Sequence, residues 1–359
     1  MKLIAVDQIE EGMILAEDVL SDEGSVYLNA GIVLKSRHKV LLDNLQIMFV
    51  YVHEPKINPR VDLLIETQKH KVHPQDKALQ QSFKKTIEAY KKVYASVTLG
   101  NTLVLNEVKS ELEPLVSKVL ENNDLLGTIR KIEIFDDYTY RHSLNVSMMV
   151  AMVGKWLNLP ENEVYELSIA GLLHDIGKCK VPSMILNKPS KLNAEEFEIM
   201  KTHALLSYSI ISESQPINEN ILRGVLEHHE RVDGSGYPYG LTKDKIHLYA
   251  RIIAVADMFD AMTSDRVYRG KLSPYTVADE LLRAAYSHLD IEIVSIFVQN
   301  ISRFFVGNEV ELNTGEIGEV VLINKTAVTR PLIRLSHGFV DLSARYDLEI
   351  SKVLGESTM

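Results

Sequence analysis

The feature that most constrains this chain is the pair His174-Asp175, set directly behind the apolar run Leu167-Ser168-Ile169-Ala170-Gly171-Leu172-Leu173. That run reads as a buried helix, so the pair is delivered to the interior rather than to open solvent. An unpaired carboxylate there is costly, and the fold must bring it partners. Candidates recur along the chain. His142 sits near the start of a helix expected from about Asp137 to Leu157, and His203 lies in the amphipathic stretch Glu195–Ser212. His228-His229 ends a helix beginning near Asn218, and Asp257 interrupts the apolar helix Ile252-Ile253-Ala254-Val255-Ala256.

A lone histidine on an apolar face is usually a satisfied core residue. Five histidines and two aspartates distributed over five expected helices point instead to a metal site. Imidazole nitrogen and carboxylate oxygen suit iron, manganese or zinc, whereas calcium prefers all-oxygen cages. Helices converging in a bundle can each donate one inward ligand, so close spacing in sequence is unnecessary. Asp175 has two oxygens and can bridge, which makes two metals plausible. A metal pair roughly 3.5–4 Å apart stabilises both the attacking and the leaving oxygen of phosphoryl transfer. Hydroxide held between the two is a ready nucleophile, so no Ser or Cys nucleophile is required.

The rest of the chain sets this cluster in a mainly α framework with small flanking modules. Residues 1–55 read as a small α+β module: strand-like Met13–Ala16 and Val26–Leu28, a turn at Asp22-Glu23-Gly24, a helix over Ser36–Leu45, and a returning strand over Met48–Val52. Residues 56–130 read as a helical connector, with Leu112, Leu115, Val116, Val119 and Leu120 at helical spacing; a solvated linker is the alternative. Residues 131–303 form the helical domain carrying the cluster. Residues 304–359 return to strands at Glu309–Leu312, Gly318–Ile323, Leu332–Leu335 and Gly338–Leu342, a small β module.

Composition excludes some functions. A net charge of −10 argues against binding along a nucleic-acid polymer, although not against a small phosphate substrate drawn in by metal cations. The one cysteine, Cys179, excludes a disulfide framework within the chain and is expected to be buried. The longest apolar run, near Met148–Val153, is too short for a membrane span, and Met1–Ile4 begins no extended signal-peptide core. A cytoplasmic location is expected.

Taken together, these motifs resemble the HD-GYP domain family, bacterial hydrolases of the second messenger cyclic dimeric GMP. The likeness rests on His174-Asp175-Ile176-Gly177-Lys178, His228-His229-Glu230-Arg231, Asp233-Gly234-Ser235-Gly236-Tyr237-Pro238 with Gly240, and the segment Asp257 to Arg266. Tyr140-Arg141-His142-Ser143 and Lys201-Thr202-His203 sit where the family places ligands. It covers about residues 130–303 and implies an HD-type helical bundle.

The resemblance implies roles at the matching positions. His142, His174, Asp175 and Asp257 would surround one metal, with Asp175 bridging to a second held by His203, His228 and His229. Lys178 would contact the scissile phosphate or protonate the leaving oxygen; its bland reading is a surface lysine at a helix end. Its spacing from His174 puts the two on one helical face. Arg266 and Arg269 would reach substrate phosphates or guanine edges, while Asp265 and Tyr268 are as readily structural. Gly234 and Gly236 supply tight turns. The loop they form, with Tyr237, would shape the pocket and dock partner signalling proteins, or else be a plain connector.

Some members bind a third metal through a Glu one turn before the first histidine. Tyr138 stands there and Asp137 is at a poorer angle, so two metals are expected, iron or manganese. Ser190 and Ser207 replace glycines common in relatives and alter pocket shape. The expected reaction is hydrolysis of cyclic dimeric GMP to the linear dinucleotide and/or GMP. Alternatives are another cyclic dinucleotide as substrate, an HD-type nucleotidase, a di-iron oxygenase, or a non-catalytic receptor for the messenger. Homodimerisation through the connecting helices is left open.

Overall fold

The computed structural model describes residues 2–6, 9, 13–20, 26–28, 30–32, 34–45, 47, 49–53, 77–121, 138–214, 216–264, 273–303, 305–324 and 326–356. The chain divides into two compact units, Met1–Thr67 and Gln68–Met359.

Among its described residues the first unit holds five short strands, β1 (Lys2–Ala5), β2 (Ile14–Leu15), β3 (Val19–Leu20), β4 (Val26–Leu28) and β5 (Phe49–His53), with helix α1 (Ser36–Asn44). β5 is central in an antiparallel sheet of order β1-β5-β2, and β3 pairs with β4. The alternation of β5 turns Val50 and Val52 inward, where they meet Leu15, Leu28, Leu34 and Leu42 in a separate small core. The Asp22-Glu23-Gly24 turn lies outside the described residues.

The second unit begins with α2 (Lys77–Thr98) and α3 (Asn106–Glu121). Val108, Leu112, Leu115, Val116 and Val119 of α3 are buried at the spacing that gives one helix a single apolar face. The site-bearing helices follow: α4 (Tyr138–Trp156), α5 (Glu161–Leu173), α6 (Ser183–Leu186), α7 (Ala194–Lys201), α8 (His203–Ser212), α9 (Glu219–Leu226) and α10 (Leu248–Thr263). α4 and α5 can approach closely because Gly171 lacks a side chain. A Cβ there would lie 2.8 Å from Val150 Cγ2 and 3.1 Å from Ser147 Cα. Ser147 Oγ also donates to Ser168 O at 2.7 Å, fixing the crossing. His142 and His174 are thereby brought together, with ring centroids 5.3 Å apart.

After α11 (Pro274–Ala284) and α12 (Ile291–Arg303) come β6 (Asn308–Leu312), β7 (Ile317–Asn324), β8 (Ala327–Leu335), β9 (Gly338–Asp341) and β10 (Ile350–Glu356). They form an antiparallel sheet of order β10-β6-β7-β8-β9. Its buried residues, including Val310, Val320 and Ile333, belong to the same core as Leu281, Phe297 and Phe305 of the helical region. Among the described residues, no helix is long and apolar enough to cross a membrane.

Three local expectations are corrected. The stretch Glu195–Ser212 is two helices, Ala194–Lys201 and His203–Ser212, which meet at Thr202. His174 and Lys178 do not share a helical face: α5 stops at Leu173, Asp175 sits at φ −105°, ψ 7°, and Ile176–Lys180 is a 3₁₀ turn. Cys179 is half-buried rather than buried.

Candidate metal centre

Two groups of donor atoms meet around Asp175. His142, His174 and Asp257 each offer an atom within 4.8 Å of the other two, and so do Asp175, His203, His228 and His229 among themselves. Asp175 also touches the first group. Its Oδ2 lies 3.3 Å from His174 Nε2 and 3.6 Å from His142 Nε2, while its Oδ1 lies 3.2 Å from His203 Nε2 and 4.0 Å from His228 Nε2. One carboxylate therefore faces both groups, one oxygen to each.

The imidazoles are oriented by their outer nitrogens. His174 Nδ1 donates to Gly171 O at 2.7 Å, His203 Nδ1 to Met200 O at 2.7 Å and His228 Nδ1 to Val225 O at 2.6 Å. A carbonyl can only accept, so each ring carries a proton on Nδ1 and turns Nε2 inward. Each of these bonds spans three residues, so the chain turn that places a ring also fixes its tautomer. His142 is held differently: its Nδ1 meets Asp260 Oδ2 at 2.7 Å, and its Nε2 lies 3.2 Å from Asp257 Oδ1. Asp260 also accepts from Asn145 Nδ2 at 2.9 Å.

The result is a buried concentration of electron pairs. His174 Nε2 and Asp175 Oδ1 are buried without a hydrogen-bond partner. His203 Nε2 lies 3.3 Å from His228 Nε2 and 3.1 Å from His229 Nε2. Buried acceptors without donors are expensive, and divalent cations are the species that such a nitrogen-and-oxygen set fits. These residues therefore fit metal ions.

The protonation states agree. Burial, with neighbouring histidines adding to it, holds His228 and His229 well below the usual imidazole range. Burial likewise lowers His203, against the pull of Asp175. For Asp175, burial opposes ionisation, but Lys178 and His174 outweigh it and keep the carboxyl well below the usual range. Burial also opposes ionisation of Asp257, and its bond with His142 overcomes that. His142 is the exception: burial disfavours its charge, yet bonds to Asp257 and Asp260 push it up to about 9.

Lys178 donates to Asp175 Oδ2 from the 3₁₀ turn and keeps about a quarter of its side chain exposed. The loop after His228-His229 folds back onto the site. Tyr237 stacks on His229 with centroids 4.7 Å apart, and Glu230 accepts from Tyr239 N and Leu241 N at 2.7 and 2.8 Å. Gly234 has φ +82°, and Gly236 lies against backbone that a Cβ would meet at 2.3 Å. The glycines thus serve a turn and a close approach respectively. Arg266, Arg269, Asp265, Tyr268 and Asp137 lie outside the described residues, as does the side chain of Tyr138.

Sequence reading missed three supporting residues. Asp260 and Asn145 orient His142, and Glu230 ties down the loop. For Asp260 a signal existed, its position one helical turn beyond Asp257 on α10.

Residues 115–293 match the family model described as HD domain. The chain is 32% identical over 245 residues to a cyclic di-GMP phosphodiesterase of Pseudomonas aeruginosa, covering 68% of this chain and 58% of the relative. It is 42% identical over 164 residues to a cyclic di-GMP phosphodiesterase of Thermotoga maritima, covering 45% and 43%. The chain thus spans about half the length of the curated relatives it matches. Among solved structures, an HDG"Y"P protein from Bdellovibrio bacteriovorus, Bd1817, superimposes with a TM-score of 0.53 at 18% identity, covering 82% of this chain and 97% of that one, which speaks for the fold alone. Residues 115–293 of the chain thus belong to the HD-domain family.

Proposed function

We propose that this chain is a metal-dependent phosphodiesterase that hydrolyses cyclic dimeric GMP to the linear dinucleotide, GMP or both. The observation that carries the reading is Asp175, a buried carboxylate with one oxygen toward each of two donor groups. His142, His174, Asp175 and Asp257 would hold one divalent cation, and Asp175, His203, His228 and His229 a second; iron or manganese suits this donor set. Such a pair supplies positive charge to a phosphodiester and lowers the pKa of bound water, so the chain needs no nucleophilic side chain.

The protein's own groups have separate tasks. The Nδ1–carbonyl bonds hold three imidazole rings in place with Nε2 turned toward the donor groups. Lys178 would meet a phosphate oxygen or hand a proton to the leaving oxygen; its ammonium contacts Asp175 and its side chain is partly exposed, which supports that role. Gly236 and Tyr237 would form the pocket wall behind His229. Arg266 and Arg269 would grip the outlying phosphate or guanine edges. Tyr239 on the same loop is 60% exposed, which suits a docking surface for a signalling partner.

The test is product analysis. Protein loaded with iron or manganese is incubated with cyclic dimeric GMP, and in parallel with the mixed guanine–adenine cyclic dinucleotide. Linear product from the first, with two equivalents of metal bound, is the expected outcome. Turnover of the mixed dinucleotide alone would reassign the substrate. Tight binding of both without turnover would make the chain a receptor.

A further inference from the structure

Ser207 makes a junction between the two donor groups. It lies one turn beyond His203 on α8 and is fully buried. Its hydroxyl accepts from Gly177 N at 2.8 Å and donates to His174 O at 2.9 Å. Those two partners flank Asp175. His174 O belongs to the end of α5, where carbonyls have lost their helical partners, and Gly177 N lies within the 3₁₀ turn. One hydroxyl therefore ties the backbone on both sides of the shared carboxylate to the helix that begins with His203.

The contact is close along its length. A Cβ on Gly177 would lie 2.2 Å from His203 O and 2.4 Å from Ser207 N, so the turn lies directly on the α8 backbone. Sliding or tilting α8 would change the separation of His203 Nε2 and Asp175 Oδ1, now 3.2 Å. Glycine at the helix position would permit the approach but supply no hydrogen bond; serine adds both a donor and an acceptor.

We infer that Ser207 is a positioning residue for the second metal group, setting the distance of His203 from Asp175 through its two backbone bonds. The inference rests on the metal reading above. Ser207→Ala removes both bonds at little change in volume. It is expected to weaken binding of the second cobalt(II) equivalent about 10- to 100-fold, the usual range for groups that support a ligand. It should also alter the visible absorption of bound cobalt and lower kcat more than it raises KM.

Ser302→Ala is the control, because it removes a buried hydroxyl whose bond to Val298 O stays within α12. If Ser207→Ala loses thermal stability as Ser302→Ala does, with both cobalt equivalents, the spectrum and kcat unchanged, Ser207 is structural only and the inference is overturned. If the unsubstituted protein takes up fewer than two cobalt equivalents, the two-metal reading itself fails. If Ser207→Ala does not fold, Ser207→Gly carries the same comparison, since glycine also lacks the hydroxyl and adds no bulk.

Discussion

His203 and His228 face each other through their Nε2 atoms, 3.3 Å apart, while burial keeps both rings neutral and each donates its Nδ1–H to a backbone carbonyl. Neither Nε2 has a hydrogen to offer the other. Two lone pairs at that distance are stable only with a positive charge between or beside them, and that relationship sets the first expectation. Saturating metal should stabilise the protein strongly, by about 2.7 kcal/mol when free metal exceeds its Kd 100-fold. Thermal unfolding with and without a chelator measures this, and unchanged melting would count against the site.

His142 predicts a proton count. Its pKa is pushed up to about 9, so the metal-free site holds a proton there at pH 8. A metal ligand must be neutral, so loading at pH 8 should release about one proton. Titration calorimetry in two buffers of different ionisation enthalpy reads this directly, and identical heats would refute it. The stability sign follows from the same shift. Because the folded value lies above the unfolded value of 6.5, this contribution is fully present below pH 6.5 and is lost as pH rises through about 9. Other groups held constant, the metal-free protein should lose this increment of stability over that window.

Asp260 should matter although it belongs to neither donor group. It receives His142 Nδ1 at 2.7 Å and Asn145 Nδ2 at 2.9 Å. Asp260→Ala frees the His142 ring and should reduce metal affinity or turnover about 10- to 100-fold. Metal titration of the variant against the unsubstituted protein checks this.

Lys178→Met should separate chemistry from metal binding. The residue contacts Asp175 yet lies in neither donor group. Metal content should be kept while kcat falls roughly 10²- to 10⁴-fold, as for loss of a proton-transfer group. Loss of metal would instead assign Lys178 a structural role.

The helix before the matched family region should be indispensable. Phe83, Ile87 and Tyr90 of α2 are fully buried in the main core, and Lys180 donates to Val97 O at 2.7 Å. Removing those three side chains alone should cost on the order of 5 kcal/mol, at roughly 1.5–3 kcal/mol for each large apolar group. A truncation to residues 115–359 should therefore unfold at markedly lower urea than residues 68–359.

Much of this molecule was legible before any coordinates. The helical apolar spacing of Leu112, Leu115, Val116 and Val119 gave α3 its buried face, and the run Met48–Val52 gave β5. The seven donor residues could be named because a buried helix rarely tolerates an ionisable group without purpose. Local chain reversals were harder to read. The break at Thr202 and the stop of α5 at Leu173 are local changes of backbone angle that periodicity does not register.

The sequence by itself determined the element types, the family and the residues able to bind metal, because those follow from side-chain chemistry and from periods of two and 3.6 residues. The tertiary structure decided which donors share a group, that Asp175 turns one oxygen to each, that Asp260 meets His142, and that Ser207 joins His174 O to Gly177 N. Those relationships join residues as far apart as His142 and Asp260. They depend on how closely helices approach, which at Gly171 and Gly177 is settled by the room left by a missing side chain.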